Sequence, residues 1–254
     1  MILEEYDIDK DAIINPADFV PRVEGLPKIA VTCFEGKTFD RLVQLLQGEV
    51  IAETKNANGA FPIYKVNYKS KELAIYMSDM CAAGAGGQIE EIYAMGIETV
   101  IMCGSCGVLD KGIGDFSIII PNAAVRDEGL SYHYAPPSEE ITVNPKYIPE
   151  FTQILDEIGC SYRIGKTWTT DAFYRETKAK MERRKAQGCL CVEMECAGVA
   201  AVAQFREKEF FQFFYAADCL DGEMWDQRCL HSDVKFSEGR DKVVQLALEL
   251  AVRI

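Results

Sequence analysis

Apolar and polar positions switch between two periods along this chain, and the switching is regular from residue 28 to the C-terminus. KIAVTCF (28–34) is a continuous apolar run of strand length. TFDRLVQLLQ (38–47) places its apolar residues at helical spacing. FPIYKVNYK (61–69) alternates and ELAIYMS (72–78) is an apolar run, which together predict neighbouring strands. GQIEEIYAMG (87–96) reads as a helix with Gly96 as its stop. ETVIMCG (98–104) reads as a buried strand that ends on the turn Gly104-Ser105-Cys106-Gly107. FSIIIP (116–121) is a strand closed by Pro121, and the polar stretch 126–146, with Pro136, Pro137 and Pro145, reads as a long loop. YIPEFTQILDEIG (147–159) is an amphipathic helix and SYRIGKTWT (161–169) a strand. RETKAKMERRKAQG (175–188) is a polar helix. CLCVEMECAGVAAVAQF (189–205) starts as a strand and passes into an alanine-rich helix, EFFQFFYAAD (209–218) is a strand, and 235–254 finishes in a helix.

Strands alternating with helices, without a repeat or a low-complexity linker, predict a single α/β domain with a mixed or mainly parallel sheet. The first 27 residues, punctuated by Pro16, Pro21 and Pro27, form an arm over its surface, leaving 28–254 as the domain. In open α/β sheets, polar residues just past the strand C-termini gather in one crevice. Three places qualify: the Gly104–Gly107 turn, Glu193-Met194-Glu195, and Asp218.

Composition narrows the partners. The chain has 254 residues and a formal net charge of −13, which disfavours nucleic acid and anionic lipid. The basic run Arg183-Arg184-Lys185 reads as a solvated helix end. The N-terminal residues lack the apolar core and cleavage signal of a secretory leader, and no apolar run spans a bilayer, so a cytoplasmic protein is expected. Ten cysteines, most in apolar segments, then read as buried free thiols in a reducing compartment. Cys103 and Cys106 have metal-like spacing, but no second pair accompanies them and His133 and His231 are the only histidines. No metal or cofactor is expected.

Glu193 and Glu195 lie inside an apolar segment, where a carboxylate is costly unless bonded. Each either accepts hydrogen bonds from a polyol such as ribose or caps the helix that follows. Asp218, directly after FFQFFYAA, is either a helix cap or a general acid whose pKa apolar surroundings raise. Ser105, between glycines, offers a hydroxyl and close backbone approach.

These motifs resemble the nucleoside phosphorylase family, which includes uridine phosphorylase, the hexameric bacterial purine nucleoside phosphorylases and fold-related nucleosidases. VIMCGSCGVL is similar to the family segment "RVGSCGAV", CVEMECAGVAAVAQF to "GVEMEAAGIYGVAAEF", and TTDAFY to its Ser/Thr-x-Asp-x-Phe-Tyr strand end. GQIEEIYAMG matches its helix, and the resemblance covers roughly residues 28–254. It implies a three-layer α/β/α domain with a mixed central sheet, and cleavage of a nucleoside N-glycosidic bond by inorganic phosphate as co-substrate. Carried over, Glu195 would bind the ribose hydroxyls, Met194 would pack under the sugar, Glu193 would face the base and Phe173 would stack on it. Ser105 would bond phosphate, Cys106 and Gly107 would line the base pocket, and Asp218 would protonate purine N7. The resemblance also implies a homodimer or a hexamer built as a trimer of dimers.

The chain departs from the family at its phosphate site. Met102 replaces one arginine, the glycine-arginine loop is replaced by CFEGK, and Gly59 falls at the arginine lent to a neighbouring subunit. Asp79 and Cys81 fall at loop glycines, and an inward Asp79 would repel phosphate. Lys37 is the candidate cation, with Arg41 as a spare. An ungapped alignment puts Thr177 and Ala179 where uridine phosphorylases carry a glutamine and an arginine, so a purine ribonucleoside is favoured. His133 reads as a brace for its loop. Segment 221–228 reads either as a lid, with Arg228 assisting Asp218, or as a surface loop. The expected activity is phosphorolysis of a purine ribonucleoside to free base and ribose 1-phosphate. The alternatives are a hydrolytic nucleosidase, for which Glu35 is the nearest carboxylate, and a non-catalytic nucleoside-binding protein.

Overall fold

The computed structural model describes residues 2–230 and 237–254, so His231 lies outside the described residues. A short helix α1 (Pro16–Phe19) precedes β1 (Ile29–Cys33), α2 (Gly36–Leu45), β2 (Glu49–Asn56), β3 (Gly59–Tyr68) and β4 (Lys71–Met77). Next come α3 (Cys81–Met95), β5 (Thr99–Val108), β6 (Ile118–Asp127), α4 (Ser131–Tyr134), β7 (Glu140–Thr142) and α5 (Ile148–Glu157). The chain ends with β8 (Tyr162–Thr170), α6 (Lys178–Ala186), β9 (Cys189–Glu193), α7 (Cys196–Phe205), β10 (Glu209–Cys219) and α8 (Ser237–Arg253).

All strands belong to one mixed sheet. One wing runs β2-β3-β4-β1-β5, antiparallel up to β4 and parallel from there. Beyond β5 the sheet closes on itself. β5 pairs in parallel with β10 and briefly in antiparallel with β9, and β10, β6, β8 and β9 complete a five-stranded ring. Apolar side chains on one face bury against α3 and α7, those on the other against α2, α5 and α8, giving three layers around two cores. A third, smaller cluster under α6 holds Trp168, whose Nε1 donates to Asp127 Oδ2 at 2.9 Å. Residues before β1 lie along the α3 side, where Val20 and Leu26 enter the core and the Val23 N–H donates to the Met95 carbonyl. Among the described residues no helix is long and apolar enough to cross a membrane.

Four local expectations change. Gly104–Gly107 is no turn: β5 continues to Val108, with Ser105 and Gly107 in register with Tyr215 and Asp218 of β10. The glycines serve close approach, since a Cβ on Gly107 would lie 2.6 Å from Leu220 Cδ1 and 3.3 Å from both Asp218 carboxylate oxygens. Pro121 does not close β6, which continues to Asp127 past a register shift between Pro121 and Ala123. The stretch 126–146 contains α4 and β7. It is braced by Arg126, which donates to Ser131, Ser138 and the Ala135 and Pro136 carbonyls, and by Glu128, which accepts from Ser131; His133 is exposed. Helix α3 starts at Cys81 rather than Gly87, and its first turns carry the close-packing positions Ala82 and Gly86. A Cβ on Gly86 would sit 2.2 Å from Leu130 Cδ2.

Candidate active site

A cavity of about 730 Å³ opens where β5, β9 and β10 end. Ser105, Cys106 and Gly107 line it from β5, Glu193, Met194 and Glu195 from the β9–α7 junction, and Asp218 from β10. Phe173, half exposed, lines it from the segment after β8. The residues expected from the sequence to meet the nucleoside therefore border one space, whereas Lys37 does not.

The two glutamates divide between the two readings open in the sequence. Glu193 is spent on structure. Its Oε1 accepts from Thr169 Oγ1 at 2.5 Å and Thr167 Oγ1 at 3.2 Å, and its Oε2 from the backbone N–H groups of Glu195 and Cys196 at 2.9 and 2.7 Å. Those N–H groups are unpaired donors at the start of α7, so Glu193 caps that helix. Its carboxylate is thus fully bonded within the protein and not free to face a base. Burial pushes its pKa up to about 7 despite these four bonds. Glu195 keeps capacity: its Oε1 accepts from the Cys81 N–H at 2.7 Å, and among the described residues no side chain donates to its carboxylate. Burial and the neighbouring Glu193 charge push Glu195 up to about 8. A polyol hydroxyl pair would supply the donors that this carboxylate lacks.

Asp218 is aimed by a bulge. The β5–β10 register shifts between Ala216 and Asp218, which turns the carboxylate over Gly107. Trp225 Nε1 donates to Asp218 Oδ2 at 2.6 Å. The loop carrying Trp225 is closed by paired backbone bonds between Cys219 and Asp226, at 2.9 and 3.1 Å. Segment 221–228 thus folds over the cavity, but Arg228 turns away, donating to the Ile113 carbonyl at 2.7 Å and pairing with Asp226 and Asp115. Trp225 rather than Arg228 is thus a partner of Asp218.

A second cavity of about 290 Å³ shares Ser105, Phe34, Met80 and Leu230 with the first. Glu35, Thr38, Tyr215 and Arg240 also line it. Arg240, a buried residue of α8, pairs through Nη1 with Glu35 at 2.5 Å and donates through Nη2 to the Cys229 and Leu230 carbonyls.

The sequence signature of the Phosphorylase superfamily matches residues 28–253. The chain belongs to the nucleoside phosphorylase family. Guanosine phosphorylase of Halorubrum lacusprofundi is 26% identical over 186 residues, 70% of this chain and 72% of that protein. Uridine phosphorylase of Escherichia coli is 27% identical over 137 residues, 46% of this chain and 54% of that protein. The crystal structure of purine nucleoside phosphorylase from Toxoplasma gondii in complex with immucillin-H superposes with a TM-score of 0.77 at 19% identity, covering 91% of this chain and 92% of that one. That superposition fits the α/β architecture and central mixed sheet described above.

Membership in the phosphorylase family gives the atypical positions their meaning. Met102 is fully buried core. Lys37 is exposed and lines neither cavity, and Arg41 is held by Asp241 through a two-pronged bond. Asp79 accepts from Asn56 Nδ2 at 2.8 Å and lines neither cavity, so the expected repulsion is absent. Cys81 occupies a loop-glycine position of the phosphorylases and keeps the glycine-like conformation, with φ of 64°. The guanidinium beside the Ser105 end of the site is Arg240, which sequence reading missed because it sits in a helix remote from every family motif. On the other side, Thr177 caps α6 by accepting from the Lys180 N–H. Its neighbours Glu176 and Lys178 line the cavity instead, one position from where an ungapped alignment looks.

Proposed function

We propose that this chain is a pentosyltransferase that cleaves a purine ribonucleoside with inorganic phosphate, releasing free base and ribose 1-phosphate. The observation that carries this reading is the single cavity bordered by Ser105, Glu195 and Asp218. Glu195 holds the ribose hydroxyls and Met194 packs under the sugar, with Phe173 against the base. Phosphate enters beside Ser105 and attacks C1′ as the glycosidic bond breaks. Asp218 delivers a proton to purine N7, so that the electrons left on the base are neutralised; such general acid help is worth about 10²–10⁴-fold. The guanosine and purine nucleoside phosphorylases among the relatives agree with a purine. Neither a metal nor an organic cofactor has a step in this scheme.

A second reading, hydrolysis, rests on Glu35. Paired with Arg240 in the smaller cavity, it places a carboxylate within the space next to Ser105. Incubation with inosine or guanosine, with and without phosphate, separates the two. Phosphate-dependent ribose 1-phosphate is the expected product. Free ribose at an unchanged rate without phosphate would establish hydrolysis, and no product under either condition would remove both.

A further inference from the structure

The acid of the proposed reaction is bonded by a residue to which that reaction gives no task. Trp225 Nε1 donates to Asp218 Oδ2 at 2.6 Å, and both side chains line the larger cavity. The indole rides on a loop that is tied down on each side of it. Cys219 and Asp226 exchange backbone bonds, and a Cβ on Gly222 would lie 2.9 Å from the Met224 carbonyl oxygen, so the turn is tight. Arg228 donates to the Ile113 carbonyl at 2.7 Å, and the Cys229 thiol to the Ala217 carbonyl at 3.3 Å. The half-exposed indole therefore has a fixed frame beneath it.

The type of donor matters. An indole N–H donates, accepts nothing and carries no charge. A guanidinium in the same place would form an ion pair that keeps the aspartate as a carboxylate. A neutral donor fixes direction without adding charge. In a protonated carboxyl group the carbonyl oxygen is the better acceptor, so a donor on Oδ2 sets the proton on Oδ1.

We propose that Trp225 is the positioning residue for the acid: its N–H holds Asp218 Oδ2, so that the proton is presented on Oδ1 to purine N7. This inference rests on the phosphorylase reading of the cavity and adds a residue to it. As the glycosidic bond breaks, its electron pair passes into the base. The Oδ1–H bond breaks and an N7–H bond forms. Asp218 is left as a carboxylate, which the same indole N–H bonds more strongly, because hydrogen bonds to ionised acceptors are the strong ones. Trp225 thus contributes most once the proton has moved. The other titratable groups that feel the Asp218 charge are Glu176 at the cavity wall, Cys106 on β5 and Cys229 after the loop. Substitution at position 225 leaves all three in place.

Two measurements on the full chain test the proposal. The chain has two tryptophans, so ¹⁵N-tryptophan labelling gives one indole resonance from each, and Trp225→Phe identifies that of Trp225. This resonance is expected to move with pH as Asp218 titrates and to lose that movement in Asp218→Asn. A Trp225 resonance indifferent to Asp218→Asn overturns the pairing whatever the activity. The second measurement compares inosine with 7-methylinosine, whose base leaves without a proton at N7. Trp225→Phe should lower kcat for inosine by about tenfold or more. The acid works protonated, so activity falls as pH rises through its pKa. Losing a donor that favours the carboxylate should move that limb up by about one unit. Turnover of 7-methylinosine should be little changed. Equal losses on both nucleosides, with the unfolding temperature preserved, overturn the positioning role. A Trp225 resonance coupled to Asp218 in a protein that releases no base from inosine would keep the pairing and remove the phosphorylase reading.

Discussion

Two buried carboxylates carry opposite demands. In the proposed reaction Asp218 is valuable for its proton, Glu195 for its charge. Asp218→Asn keeps the shape and can still accept from Trp225 Nε1, but it cannot deliver a proton. The expected outcome is a kcat for inosine lower by about 10²–10⁴-fold with nucleoside binding largely retained, read by steady-state kinetics and direct titration. Unchanged turnover would exclude Asp218 as the acid. Glu195 has a pKa raised from 4.5 to about 8 in the folded chain, so folding favours its protonated form. Its contribution to stability is therefore complete below the ordinary carboxylate range and is lost as pH rises towards 8. Glu195→Gln keeps an oxygen for the Cys81 N–H and removes the titration. Its unfolding temperature should exceed that of the wild type at pH 8–9, by about 2–4 °C for each kcal/mol recovered. Its affinity for ribosides should fall, while 2′,3′-dideoxyribosides are little affected. Parallel pH slopes for the two proteins would contradict the assignment.

At the scale of elements, the site depends on how β5 and β10 run side by side. Gly107→Ala inserts a methyl group where Leu220 and the Asp218 carboxylate already stand. It should cost about 1–3 kcal/mol of stability by overpacking. Turnover should fall further than affinity, because the acid is displaced; denaturant unfolding and a kcat-against-KM comparison separate the effects. Much of this arrangement was legible in the sequence. The apolar runs located β1, β4, β5, β9 and β10, and the helical periods located α2, α5, α7 and α8. The reading of Gly104–Gly107 as a turn failed because glycine marks both turns and close approach, and only the partner strand decides which. Strand β2 was missed because EVIAETKN, at the edge of the sheet, buries only Thr54 and carries charge on both faces. Glu176 and Lys178 were missed because a one-residue shift moves the cavity-facing positions, and no local pattern marks it. The Glu193 cap was one of the two readings open in the sequence, and its neighbours in the fold decide between them; the Arg240–Glu35 pair joins residues 205 positions apart, too far for spacing to reveal it.

For the molecule as a whole, the cavity carries exposed apolar side chains at its mouth. Met80, Tyr174, Met224 and Trp225 are 67%, 87%, 85% and 51% exposed around it. The resemblance to the family implies that neighbouring subunits complete each other's sites, and this rim is where such a subunit would sit. Light scattering should give a mass of at least twice 28.4 kDa at micromolar concentration; a monomer would sink the assembly. The closed ring has a different consequence, one that concerns synthesis. Strand β10 slots between β5 and β6, and Cys106 meets Tyr215 across 109 positions of sequence. A ribosome adds about 5–20 residues each second. For several seconds, therefore, β5 and β6 exist without the strand that joins them, and the backbone bonding groups along their β10-facing edges stay unmatched even after β1, β8 and β9 have emerged. Those two edges find their native partner only when the last quarter of the chain emerges, so its yield in a cell depends on what keeps them from pairing with other chains in the meantime.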